Sequence, residues 1–369
     1  MKLTTVTPVS IGGDQGLKLS PYSDYIFDDN GDSIRYVKTA LIEKRIRDIL
    51  AKDKKSNILD KYVSGVAQME NNRSPFVLKD FIKNDLNLDI IHTTYPSISL
   101  IGFEDDKKRE IAVIVKNNQQ PYIPGSSLKG AIRTAILYNW IVAENKFEVP
   151  WEDDLFGKIQ DGPQSRFIKV TDSSLASVED LVILGTERIR IKTSQKENNS
   201  PIPSPREAIA TDTELTFSLK IEKSPKSKND PIVHQELQYW NKDITNILSK
   251  INLFSKACIN FELQTLHDKR AYHPSFEEQI SDLTQFYESL KHRIENGEFL
   301  LRLGSGKVQY DNSLLLAIYK NDPSPEKKIF RSYRKKVWGT PENQEIYPAT
   351  RLIINGINKP LGWVKLEPK

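Results

Sequence analysis

Cysteine occurs once in 369 residues, at Cys258. A single thiol excludes an intramolecular disulfide and any zinc site built from several cysteines. A chain without disulfides suits a reducing cytoplasm. No stretch is long and apolar enough to cross a bilayer. The opening residues, MKLTTVTPVSIGG, lack the uninterrupted apolar core of a secretion signal. The sequence therefore predicts a soluble, cytoplasmic protein with no membrane partner. A surplus of one charge is also missing: 53 Lys and Arg against 49 Asp and Glu leave a net charge of +4. So small a surplus does not by itself point to nucleic acid, and local clusters must decide. Of the five histidines, His267 and His273 are too far apart for a helical i,i+4 zinc pair, and His92, His234 and His292 are isolated. No metal and no cofactor are expected. With 38% hydrophobic and 28% charged residues, a buried core is feasible and wholesale disorder is excluded. The length fits one large or two ordinary domains.

The most informative stretch is 121–140, PYIPGSSLKGAIRTAILYNW. Leu128, Ile132, Ala135, Ile136 and Trp140 recur at helical spacing and form one apolar face. Lys129 and Arg133, four apart, share another. Pro124 stops the helix from extending backward. An extended segment thus runs through Gly125, Ser126 and Ser127 into a helix with two cations on its first turns. The first amides of a helix lack internal partners and sit at the positive end of its dipole, so this turn would hold a phosphate or similar anion. The alternative from local features is a strand-to-helix turn whose glycines serve packing alone. A nucleotide-binding P-loop is rejected. Gly125 and Gly130 have its spacing, but Ala131 stands where lysine is needed; around Gly304-Ser305-Gly306-Lys307, Leu301 replaces the first glycine and Val308 the hydroxyl.

Residues 2–10 read as a strand closed by Gly12 and Gly13. Residues 22–36 read as a hairpin turning at Asp29-Asn30-Gly31. Helical spacing marks 38–50 and, with a break at Ser74-Pro75, 56–90. Strands follow at 98–103 and 111–116, the helix at 127–145, then strands near 167–171, 182–192 and 213–221. Residues 193–206 are a polar, proline-rich loop. The linker 223–231 precedes a helical region over 232–296, the strand 299–303, a helix at 311–320 and strands near 346–354 and 361–366. The division is a core over 1–222 with a helical insertion near 38–92, the linker, and a C-terminal mixed region over 232–369. With the insertions set aside, the strand and helix order is ferredoxin-like, the arrangement of RNA-recognition domains, within an α+β class.

Two basic clusters stand out. Residues 327–336, KKIFRSYRKK, set Arg331, Arg334 and four lysines around Phe330 and Tyr333. Cations for phosphates and rings for bases suit single-stranded nucleic acid; a solvated helix face or loop has the same composition. Arg188, Arg190 and Lys192 alternate along a strand and would share one sheet face, which either lines a binding surface or meets water.

Several segments together resemble the RAMP superfamily of CRISPR effector proteins. They are TPVSIGG, SPYSDYIFDDNG, YIPGSSLKGAIRTAIL, DLFG at 154–157, FIKVTDS, GTERIRI, LRLGSGKVQYDNSLL and PLGWVKLE. The glycine loop with the PLGWVKL ending is similar to the backbone subunit that ends the type III-A Csm complex beside the 3′ part of the guide RNA. The resemblance implies an RNA-binding scaffold with a ferredoxin-like core. Guide RNA would be gripped by Gly125, Ser126, Ser127, Lys129 and Arg133. The loop Gly304, Ser305, Gly306 and Lys307 would face RNA, and Gly12 and Gly13 would shape the loop after the first strand. Implied partners are the CRISPR guide RNA, complementary target RNA, the repeated backbone subunit and a small helical subunit. One departure is Ser10, where the family start carries His. Catalysis is not expected. Asp14, Asp24, Asp28 and Asp29 are acids near turns, where such residues are ordinarily solvated turn formers. The enzymatic alternative is a RAMP-type endoribonuclease processing repeat RNA by His and Lys acid–base chemistry.

Overall fold

Alternation along four short segments builds a sheet from distant parts of the chain. In the computed structural model, the strands Glu214–Thr216, Lys2–Thr5, Trp363–Glu367 and Phe299–Arg302 lie side by side in that order, each antiparallel to its neighbour. The structure describes residues 1–13, 17–67, 76–103, 109–144, 168–190, 202–221, 244–267, 276–312, 314–317 and 350–369. Asp14, the break at Ser74-Pro75, DLFG, most of the loop 193–206, the linker 223–231 and the cluster 327–336 with Arg331 and Arg334 lie outside them.

Period-two alternation gives this sheet two buried faces. Leu3, Leu215, Leu301, Val364 and Leu366 enter the main core, while Leu300 and Trp363 point into a second one. The second core is closed by the helices Thr245–His267 and Glu277–Glu295, through residues such as Ile259, Leu263, Leu283 and Leu290. A seven-stranded mixed sheet runs in the order 18–19, 111–112, 206–209, 181–184, 94–101, 33–37 and 25–27. Beside its far edge, the helices Thr39–Lys52 and Ile58–Ala67 and the π-helical turn Phe81–Asp85 bury Ile42, Ile46, Phe81, Ile82 and Leu86 in a small core shared with Ile26 and Val37 of the edge strands.

The helix expected from the apolar stripe spans Gly125–Glu144. Leu128, Ile132, Ala135, Ile136 and Trp140 are all 4% exposed or less. Each large side chain so buried contributes about 1.5–3 kcal/mol. This central helix packs on Thr245–His267, where Tyr138 and Phe254 meet at 5.1 Å between ring centroids and Asn139 donates to the Lys250 carbonyl at 2.7 Å. Two expected strands each divide. Residues 182–192 become Leu181–Leu184 and Thr186–Arg190, in different sheets. The break falls at Gly185, where a Cβ would lie 1.9 Å from the Gly102 carbonyl oxygen. Residues 213–221 become Glu214–Thr216 and Leu219–Ile221 around buried Phe217. The class is α+β. No helix among the described residues is long and apolar enough to cross a membrane.

Candidate nucleic-acid interface

The approach to the central helix is fixed by backbone pairing. Residues 116–117 and 120–121 form a small hairpin, with Asn118 and Gln119 at positive φ in its turn. The chain then reaches Ile123, whose N–H donates to Ser173 Oγ at 2.9 Å and whose carbonyl accepts the Ser173 N–H at 2.9 Å. The Pro124 carbonyl accepts from the N–H groups of Ser127 and Leu128 and closes the first turn. The Gly125 N–H donates to Asp172 Oδ1 at 2.6 Å. A Cβ at Gly125 would sit 2.6 Å from the Val170 oxygen and from the Thr171 carbonyl carbon. Only glycine lets the helix start so close to another backbone. Asp172 therefore places a carboxylate at the positive end of the helix and satisfies one of its orphan amides. The packing reading and the anion reading of this turn meet here: the glycine serves close approach, and the anion at its amide is the protein's own.

Cations surround that point. Ser126 and Gly130 are exposed, and Lys129 and Arg133 are half-buried on the first turns. The Lys129 ammonium is held below its ordinary pKa, first by burial and then by Lys169 and Arg133. Lys169 is exposed on the strand Ile168–Val170 and pairs in register with exposed Lys220 on Leu219–Ile221. Sequence reading passed over both lysines. Their signal was local: each sits between apolar neighbours in a three-residue strand, as an outward position does.

The second glycine loop is organised from beneath. Phe299–Arg302 sends Arg302 into the second core, where the guanidinium pairs with the Asp311 carboxylate; the two residues are 5% and 4% exposed. Arg302 Nη2 also donates to the Gly306 carbonyl at 2.9 Å, and Nε to the Leu361 carbonyl at 3.2 Å. Gly304 has φ +65°, and a Cβ there would lie 2.3 Å from the Ser10 carbonyl oxygen. That same oxygen accepts the Ser305 N–H at 2.7 Å. The loop after the first strand and the loop at 304–307 are thus brought side by side. Gly12 and Gly13 are exposed next to this junction, and Ser10 itself is 3% exposed. Lys307 is half-buried, its pKa lowered chiefly by burial, with Asp311 opposing the shift. Val308 and Tyr310 beyond it join the main core that also holds the central helix.

A family model of the RAMP superfamily matches residues 2–307. The chain belongs to the RAMP superfamily. Among curated proteins, it is similar to the CRISPR system Cms protein Csm5 of Methanocaldococcus jannaschii. That likeness is 24% identity over 99% of this chain and 88% of the relative. The Streptococcus thermophilus Csm5 matches at 29% identity, over 33% of this chain and 39% of its own length. Among solved structures, a chain of the cryo-EM structure of a Csm–crRNA–target RNA ternary complex in a type III-A CRISPR-Cas system superposes with a TM-score of 0.72 at 22% identity, covering 99% of each chain. The crystal structure of T. onnurineus Csm5 gives 0.62 at 18% identity, over 99% of this chain and 100% of that one.

This RAMP chain carries its expected residues at two places: the central helix start, and the junction of the 10–13 and 304–307 loops. The remaining expected residues, Arg331 and Arg334, lie outside the described region, as does Asp14. Of the arginine row, Ile189 is buried and Arg188 is exposed on the opposite face of the strand. Lys192 lies outside the description. Among the described residues, no group of three or more His, Cys, Asp or Glu side chains is placed to hold a metal ion. Cys258 is buried, and burial pushes its thiol pKa well up.

Proposed function

We propose that this RAMP protein is a non-catalytic, RNA-binding structural subunit that caps the 3′ end of the guide RNA in a type III-A CRISPR interference complex. In that place it takes part in guide RNA maturation and in the binding of complementary target RNA. Its neighbours are the repeated backbone subunit and a small helical subunit. The observation that carries the reading is full-length likeness, over 99% of both chains, to a chain of a Csm–crRNA–target RNA complex. The cations Lys129 and Arg133 at a helix start support it, because phosphate contact needs fixed positive charge at a reachable surface. The antiparallel four-stranded sheet with helices against it is consistent with a ferredoxin-like core, although both halves of the chain supply its strands. Sequence in such a system is read by base pairing, and the protein reads backbone geometry.

The test is incubation of the purified chain with labelled guide-repeat RNA, reading mobility and cleavage from one sample. A salt-sensitive shift with intact RNA, lost in the Lys129→Ala/Arg133→Ala double variant, is expected. Discrete cleavage products would overturn the non-catalytic reading in favour of an endoribonuclease. Undiminished binding by the double variant would overturn the site.

A further inference from the structure

We propose that Lys169 and Lys220, opposite each other on the ribbon formed by 168–170 and 219–221, continue the RNA-backbone track that begins at Lys129 and Arg133. Phosphates are then held by side-chain cations across this ribbon rather than by the amides of the helix start. The inference rests on the RNA-binding reading above and specifies how that site works.

Three observations carry it. First, the first amide of the helix is already answered: the Gly125 N–H donates to Asp172 Oδ1 at 2.6 Å. An RNA phosphate arriving at that amide would have to displace a carboxylate of its own charge. Second, ribbon and helix start form one continuous surface. The separation at Gly125 leaves no room even for a methyl group against Val170 and Thr171. Lys169 and Arg133 are each close enough to Lys129 to help hold its pKa down, after burial. Third, the register sets Lys220 directly across from Lys169, both exposed. Side chains directly opposite in an antiparallel pair start about 4.5–5.5 Å apart, within reach of one phosphate. A phosphate lying between the two ammonium groups would accept from both. Two adjacent exposed cations on a ribbon suit an extended single strand, whose phosphates recur along its length.

The experiment measures fluorescence anisotropy of labelled single-stranded guide-repeat RNA with the full chain across a salt series. Each phosphate contact on a single strand adds about 0.7 to the slope of log affinity against log salt. The Lys169→Gln/Lys220→Gln variant should lower that slope by about 1.4, which over the decade from 1 M to 0.1 M salt is about a 25-fold loss. Lys220→Glu guards against simple misfolding. It sets opposite charges across the ribbon, so its thermal midpoint should match or exceed the parent's while RNA affinity falls. An unchanged slope in the double variant, with binding still lost in Lys129→Ala/Arg133→Ala, would overturn the ribbon and leave the RNA reading standing. Absence of salt-sensitive RNA binding by the parent chain would overturn both.

Discussion

Replacing Asp311 by Ala strips the counter-charge from a guanidinium that is 5% exposed. Arg302 then keeps its bonds to the carbonyls of Gly306 and Leu361 at 2.9 and 3.2 Å, to the Tyr287 hydroxyl at 3.3 Å, and its place 5.8 Å from the Trp363 ring. None of these neutralises it. Removing one partner of a buried pair costs about 3–5 kcal/mol, and the surviving carbonyl contacts favour the lower end. The exposed Lys18–Glu110 pair is the control. It is 2.7 Å long, but both side chains are about half exposed, and such pairs contribute about 0–1 kcal/mol. Urea unfolding should therefore show Asp311→Ala destabilised by about 3 kcal/mol and Glu110→Ala by less than about 1 kcal/mol. The double variant Arg302→Met/Asp311→Leu should cost less than Asp311→Ala alone, because no charge stays behind. Equal, sub-kilocalorie losses for Asp311→Ala and Glu110→Ala would refute the argument. They would mean that water or a neighbouring group solvates Arg302.

Other expectations follow from single positions. Gly125→Ala forces a methyl against the backbone of residues 170–171, and overpacking of this kind costs about 1–3 kcal/mol. Its thermal midpoint should fall, and RNA affinity with it, since Lys129 rides on the displaced turn. Lys307 has a folded pKa below its ordinary 10.5, so the folded chain binds its proton less well than the unfolded chain. That penalty is fully present at neutral pH and is relieved as pH rises from the lowered value through 10.5. Lys307→Met should therefore be stabilising at pH 7, with the gain shrinking toward pH 10.5 in denaturation measured across that range. A gain that stays constant with pH would show that the methylene stem, and not the charge, is at issue.

Much of the architecture was legible because local signals agreed with tertiary need. The stripe Leu128, Ile132, Ala135, Ile136, Trp140 foretold a helix and became the wall of the main core. The Asp29-Asn30-Gly31 turn marked the hairpin of Tyr25–Phe27 and Ser33–Val37, with Gly31 at φ +73°. What failed to show was non-local. Nothing around residue 185 says that its Cβ would strike Gly102, so one strand was read where there are two. Asp172 appears in the sequence as one acid among many, yet it caps a helix 47 residues away. Arg302 and Arg351 stand at the ends of apolar runs, and nothing beside them in the sequence gives either one a partner. Both are buried, against Asp311 and Glu262. Partners for buried charges are fixed only once the strands are aligned, which a linear pattern does not record.

The pairing of Lys2–Thr5 with Trp363–Glu367 has a consequence for synthesis. A ribosome releases residues 2–5 long before their neighbour exists, and one edge of that strand stays open until residue 367 has emerged. Open edges invite pairing with other chains, and contacts between sequence-distant segments form slowly. The loop carrying Ser10 and the loop carrying Ser305 wait for the same event, because Gly362 donates to the Pro8 carbonyl and accepts from Leu303. Translation stalled short of residue 363 would yield a product that lacks this junction and exposes an adhesive edge. Nascent chains would then be sorted for completeness before they meet RNA, with aggregation or proteolysis removing the rest.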